Sequence, residues 1–178
     1  MTLTAAAGDA GHRLLTDFTG NSADLGWYVV NDNVMGGQSE GDFEVAGGRL
    51  YFAGITNTNG GGFSSIRTRP LSLDLSQYAG VRLEVAGDGR RYTWRLATDA
   101  RWRGRQVSYW AEFDTQAGER TTVDLPFTAF EPRFRGVELD GPPLDAGRIT
   151  GMGLMIYDGN DGPFELELRT VRAYMRGP

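Results

Sequence analysis

Residues 81–113, VRLEVAGDGRRYTWRLATDARWRGRQVSYWAEF, decide the fold class of this chain. Val81, Leu83 and Val85 alternate with Arg82 and Glu84; Tyr92, Trp94 and Leu96 alternate with Thr93 and Arg95. Val107, Tyr109, Ala111 and Phe113 then alternate with Ser108, Trp110 and Glu112. A period of two sets an apolar face against a core and a polar face away from it, the mark of a half-buried strand. GDGR and RWRGR separate the three runs as turns. Upstream, residues 13–18, 27–31, 43–45, 49–55 and 63–69 read as further strands, with a hairpin over AGG and a stop at Pro70, which has no N–H to donate. LSLDLSQY, residues 71–78, reads as a strand end and a short turn. Downstream, ERTTVDLP reads as a strand, and FTAFEPRFRG, residues 127–136, as an irregular crossover with one helical turn. Residues 149–158 and 164–174 form a last pair joined by DGNDGP. About ten to twelve strands of this kind make an all-β antiparallel β-sandwich or jelly roll.

Composition agrees and removes many chemistries. With 26 Gly, 7 Pro, 4 Trp, 7 Tyr and 9 Phe, the chain suits turns and strands better than helices. Its 178 residues are enough for a single sandwich domain over 13–176, preceded by a loosely attached tail over 1–12. There is no cysteine and only one histidine, His12, so thiolate catalysis, disulfides, a histidine triad and a multi-histidine metal site are excluded. All 18 basic residues are arginine, which excludes a Schiff-base or P-loop lysine. A net charge of −5 disfavours bulk attraction to nucleic acid or an anionic membrane. No apolar run reaches the ~20 residues of a membrane span, and the first dozen residues show neither a secretory signal nor an Arg-rich transit pattern. The expected location is the bacterial cytoplasm, with any membrane association made through a partner.

Two glycine clusters stand apart from this pattern. WYVVNDNVMGGQSEG, residues 27–41, and NTNGGGFSSIRTR, residues 57–69, each join a strand-like run to glycines and small polar residues. Glycine belongs where the chain takes positive φ or lets another group approach its backbone. The string NDNVMGGQS after a Trp, then NGGGFSSIRT, then YWAEFDT and LPFTAFEPRFRG in that order, resembles the complex I intermediate-associated protein 30 family from about residue 14 to 174. The resemblance implies a galactose-binding-like sandwich and a link to assembly of respiratory complex I in the mitochondrial members.

The candidate site is a binding surface made of Asn31, Asp32, Met35, Gly36, Gly37, Ser39, Phe63, Ser65, Arg67 and Trp110. Asp32 can pair with Arg67 through charge-assisted bonds and tie the two glycine clusters together. Met35 is a soft, adaptable contact for a partner. Arg82, Glu84, Arg95, Trp110 and Glu112 all fall on non-core positions, and one concave sheet would present them together. Trp94, Trp102, Tyr109 and Trp110 are possible sugar platforms. Asp158, Asp161 and Glu165 crowd the last turn, but their spacing is that of a DG-type turn rather than an EF-hand. No metal and no cofactor is expected. The expected function is a non-enzymatic domain that binds protein, such as respiratory-complex subunits or assembly intermediates. The alternative is a carbohydrate-binding module of the galactose-binding-like type. A hydrolase or lyase would need a cleft with two facing carboxylates. Nucleic acid and membrane insertion are not expected.

Overall fold

In the computed structural model, which describes residues 11–175, the chain forms β1 (His12–Thr16), β2 (Tyr28–Asn31), β3 (Glu40–Ala46), β4 (Arg49–Thr56), β5 (Ser64–Arg67) and β6 (Gly80–Ala86). There follow β7 (Arg91–Trp102), β8 (Arg105–Asp114), β9 (Arg120–Pro126), β10 (Glu131–Phe134), β11 (Val137–Glu138), β12 (Ile149–Ile156) and β13 (Gly162–Tyr174). The first sheet has the order β3-β4-β13-β6-β9, with β1 also on β13; the second has the order β11-β10-β8-β7-β12-β5-β2. Strand pairing within both sheets is antiparallel. The all-β sandwich expected from the period-two runs is therefore the fold. Of the expected tail, residues 1–10 lie outside the described residues, and His12 already belongs to β1.

The apolar positions of the alternating runs meet between the sheets. Phe52, Leu83, Val85, Leu166 and Leu168 come from the first sheet and Ile66, Trp94, Leu96, Tyr109 and Leu154 from the second, and all are buried. Burying a large apolar side chain stabilises by roughly 1.5–3 kcal/mol each, so this interleaved layer is what holds the sheets together. In β13 the buried positions step from Phe164, Leu166 and Leu168 to Val171 and Ala173. A register shift between Leu168 and Thr170 accounts for the change of parity. The turn after β12 is held from beneath. Arg90 donates through Nε and Nη2 to the Asp158 carboxylate at 2.9 and 2.6 Å, and also to the Asn160 and Gly162 carbonyls. Asp161 accepts from the Thr58 amide at 2.6 Å.

Two expectations need correction. Arg82 and Glu84 lie on β6 in the first sheet, whereas Arg95, Trp110 and Glu112 lie on β7 and β8 in the second, so these five do not share a face. Glu84 sits beside Thr122 and Glu112 beside Thr93, in different sheets, so these two carboxylates do not face each other. The chain crosses from one sheet to the other between β6 and β7, and a period of two is the same in either sheet. The segment 127–136 contains the expected helical turn, a 3-10 turn at Phe127–Ala129. It also supplies β10, which pairs with β8 and extends the second sheet.

Candidate binding groove on the second sheet

The outer face of the second sheet carries a groove of about 800 Å³, within the ordinary range of ligand sites. Its floor follows from register. Tyr28 lies opposite Arg67, Arg67 opposite Gly153, Gly153 opposite Arg95, and Arg95 opposite Trp110. Directly opposed residues share a face, so these five form one row across five strands. Next to it runs Gly151–Ala97–Ser108–Arg133, and on the other side Val30–Ser65–Met155–Thr93. The glycines of β12 leave the middle of the floor without side chains. A Cβ on Gly151 would come no nearer than 3.6 Å to Ala97, so it would occupy groove space rather than clash.

Two walls rise from this floor. On the β2 side, the 3-10 turn Asp32–Met35 closes at Gly36, whose φ of 83° is left-handed. It presents Val34 at 68% and Met35 at 57% exposure. On the other side the β10–β11 hairpin brings Arg133, Phe134, Arg135 and Gly136 to the rim. Tyr28 and Tyr157, each 44% exposed, stand between them. The Arg133 guanidinium lies 5.2 Å from the centre of the Trp110 ring and that of Arg95 lies 5.8 Å from it. Trp110 is therefore only 9% exposed, with its indole Nε1 donating to Ser108 Oγ at 2.9 Å.

The two glycine clusters meet at one end of the groove, through a carboxylate rather than an ion pair. Asp32 is fully buried. Its Oδ1 accepts from the Ser39 amide at 2.9 Å, and its Oδ2 accepts from the Gly62 and Phe63 amides at 2.6 and 3.3 Å. Ser64 Oγ donates to Asn31 Oδ1 at 2.6 Å, and Ser39 Oγ accepts from the Asn57 amide at 2.8 Å. The glycines are there because backbone packs onto the carboxylate: a Cβ on Gly37 or Gly61 would lie 2.6 Å from an Asp32 oxygen. The expected Asp32–Arg67 pair is not formed. Backbone amides have taken both Asp32 oxygens, and Arg67 donates instead from Nε to Ser65 Oγ at 3.3 Å.

Of the residues expected at a binding surface, Met35, Phe63, Arg67 and Trp110 line the groove. Asp32, Ser39 and Ser65 are buried and shape it from beneath through hydrogen bonds. Asn31 ties the same loops together through Ser64 and the Gly41 carbonyl. Gly36 and Gly37 set the turn. Arg95, expected on the same outer face as Trp110, lies beside it in the groove, and Tyr157, Gly151, Gly153 and Arg133 complete the lining without having been singled out. The pattern Gly151-x-Gly153-x-Met155-x-Tyr157, out of phase with the buried Met152, Leu154 and Ile156, is the signal that could have found the floor. The expected sugar platforms are not arranged as such, because Trp94 and Tyr109 belong to the core. Trp102 packs against the core at the far end of β7, where Arg103 covers its ring at 5.4 Å.

The electrostatics of the groove are one-sided. Arg67, Arg95, Arg133 and Arg135 line it, and no Asp or Glu does among the described residues. Burial lowers the affinity of Arg95 for its proton, and the neighbouring Arg67 charge lowers it further, to a pKa of about 9. Arg95 remains a cation at neutral pH. Burial acts on Arg67 in the same direction. Among the described residues no group of three or more His, Cys, Asp or Glu could hold a metal ion, and no helix is long and apolar enough to cross a membrane.

Comparison with known proteins gives the family and the fold. An uncharacterised protein of Schizosaccharomyces pombe is 30% identical over 170 residues, covering 82% of this chain and 76% of that protein. The mitochondrial complex I intermediate-associated protein 30 of Mus musculus is 29% identical over 179 residues, covering 83% of this chain and 52% of its own length. The chain thus spans about half of the mouse relative. Among solved structures, a family 11 carbohydrate-binding module from a Clostridium thermocellum cellulosomal cellulase superposes with a TM-score of 0.66 at 16% identity, covering 93% of this chain and 95% of that one. That likeness carries the fold, an antiparallel β-sandwich, and nothing more. The model of the complex I intermediate-associated protein 30 family matches residues 16–168, and the chain belongs to that family.

Proposed function

We propose that the protein is a non-enzymatic binding domain that engages a protein partner through the groove and the apolar rim around Met35, as an assembly factor for a respiratory complex would. The observation that carries this reading is the Asp32–Met35 turn. Val34 and Met35 stand exposed at the groove edge, while the turn beneath them is held by the buried Asp32 carboxylate. Apolar side chains presented on a fixed backbone lose little conformational freedom when a partner covers them, which favours association. The partner class, subunits or assembly intermediates of respiratory complex I, comes from the family and from the mouse relative's name.

The test is cross-linked affinity capture with mass spectrometry, comparing the wild type with Met35→Asp. Complex I components captured by the wild type and lost from a stably folded Met35→Asp variant would support the reading. Equal capture by both proteins, or capture without complex I components, would overturn it. Carbohydrate binding is the second reading. It draws on the fold likeness and on the exposed rings of Tyr28 and Tyr157 at the groove. A glycan array signal abolished by Tyr157→Ala would put it in first place.

A further inference from the structure

Half-buried arginines in this protein generally have a carboxylate. Arg90 lies 2.6 Å from Asp158, Arg133 lies 3.3 Å from both Glu131 and Glu138, and Arg169 lies 3.3 Å from Glu167. Arg67 and Arg95 break this pattern. Neither has an acidic partner within ion-pair distance among the described residues. Among the described residues, the Arg67 guanidinium donates only to Ser65 Oγ, and that of Arg95 only from Nη2 to Ser108 Oγ at 3.0 Å. Like Arg133 Nε and Arg169 Nε, Arg95 Nε is occluded from solvent with no hydrogen-bond partner among the described residues. An orphaned donor on a cation is costly, and two like charges brought together out of water add to the cost.

Their placement gives that cost a use. Both are cross-strand neighbours of Gly153, one on each side. With strands about 4.8 Å apart, their backbones stand about 9.6 Å from each other across a floor that has no side chain. A Cβ at Gly153 would lie 3.0 Å from the Ile66 carbonyl oxygen, 3.4 Å from Arg67 Cγ and 3.6 Å from Arg95 Cβ, so the glycine lets the strands pack closely and puts no side chain between the two stems. Ser65 and Ser108 orient the two guanidiniums from the flanking rows, and Trp110 lies beside Arg95. A guanidinium presents a planar fork that matches a carboxylate or a phosphate with two parallel bonds. In a chain of net charge −5, a groove lined by four arginines and no acid is a local inversion of sign.

We propose that Arg67 and Arg95, on the two strands that flank Gly153, form a seat for one oxyanion, a carboxylate or phosphate group carried by the molecule that occupies the groove. This rests on the groove being the binding surface, and it adds the chemical group recognised there. A bound oxyanion would supply a counter-charge for both cations. Tyr28, exposed beside the seat, would lie against the carbon body that carries it.

The experiment is a titration of the full chain with sodium acetate and, separately, sodium phosphate at constant ionic strength, following the arginine Hε–Nε cross-peaks by NMR. Sodium chloride is the control. Saturable shifts of the Arg67 and Arg95 peaks with either oxyanion, absent with chloride, are expected. The tighter of the two names the source, an acidic side chain or chain terminus for acetate and a phosphoryl group for phosphate. In Arg67→Gln the apparent Kd read at Arg95 should rise about tenfold or more, the loss of one charge-assisted contact. Linear drift identical to chloride, or an unchanged Kd in Arg67→Gln, would overturn the proposal.

Stability provides a second readout. Arg95→Met keeps the stem volume, and Ser108 Oγ still receives the Trp110 indole. In oxyanion-free buffer this variant should melt no lower than the wild type, and it should lose any rise in melting temperature that the better oxyanion gives. A clearly lower melting point would make Arg95 a structural contact and remove the seat. These readouts do not involve a protein partner, so their failure is distinguishable from failure of the Met35→Asp capture.

Discussion

Replacing Asp32 with alanine should be among the most damaging single changes in the chain, because one side chain satisfies three amides from two separate loop segments. The carboxylate is fully buried and takes the Ser39, Gly62 and Phe63 amides. Alanine would leave three N–H groups unpaired in a space packed by Gly37 and Gly61. Hydrogen bonds to a charged group are worth roughly 1.5–3 kcal/mol each. The Phe63 bond is long at 3.3 Å, and the loops can relax partway toward water. The expected loss is therefore about 3–5 kcal/mol, less than the full sum. In a chain of this length that corresponds to roughly 10 °C in melting temperature. Asp32→Asn can keep its carbonyl oxygen on the Gly62 and Phe63 amides while its NH2 faces the Ser39 amide, so it should lose about half as much. Gly61→Ala attacks the same contact from the other side and should also destabilise, since its Cβ would lie 2.6 Å from Asp32 Oδ2. Urea unfolding followed by tryptophan fluorescence measures all three. A loss under about 1 kcal/mol for Asp32→Ala would refute the view that this carboxylate organises the groove edge.

Asp32→Ala and Arg67→Ala, combined in a double-mutant cycle, should be additive within ~0.5 kcal/mol, since the two side chains share no bond; a larger coupling term from denaturation midpoints would restore the ion pair. Arg90→Ala should cost about 3–5 kcal/mol by urea melt, because it strands the nearly buried Asp158 carboxylate beneath the last turn; a loss near zero would mean the pair is solvated. Asp158 also sets a pH dependence. Burial acts to raise its pKa, but the Arg90 and Asn160 hydrogen bonds outweigh that and hold it below the ordinary carboxylate value. Its contribution is complete above the unfolded value of about 3.9 and is lost as pH falls through the folded one. The wild type should thus lose stability more steeply than Asp158→Asn below about pH 4, and parallel curves would remove Asp158 from the acid transition.

The β content and the apolar face of each long strand were determined locally. Val81, Leu83 and Val85 are buried and Arg82 and Glu84 are not because the pleat alternates side chains, whatever sheet the strand joins. The same locality explains what the pattern could not say. Arg82 and Arg95 have identical alternation, yet one faces outward from the first sheet and the other into the groove of the second. The choice was made by pairing partners far along the chain: β13 and β9 for Arg82, β12 and β8 for Arg95. Trp110 sits at a non-core position, but β10 returns alongside β8 and sets Arg133 over its ring. The glycine clusters were legible as places of close approach, and NDNVMGGQS was legible as family. What approaches them was not. Asp32 could be satisfied by the Arg67 cation or by backbone amides, and only the folded chain brings the Ser39, Gly62 and Phe63 amides within reach. That outcome leaves Arg67 without a carboxylate, and the tertiary pairing of β5 and β7 with β12 sets it across Gly153 from Arg95.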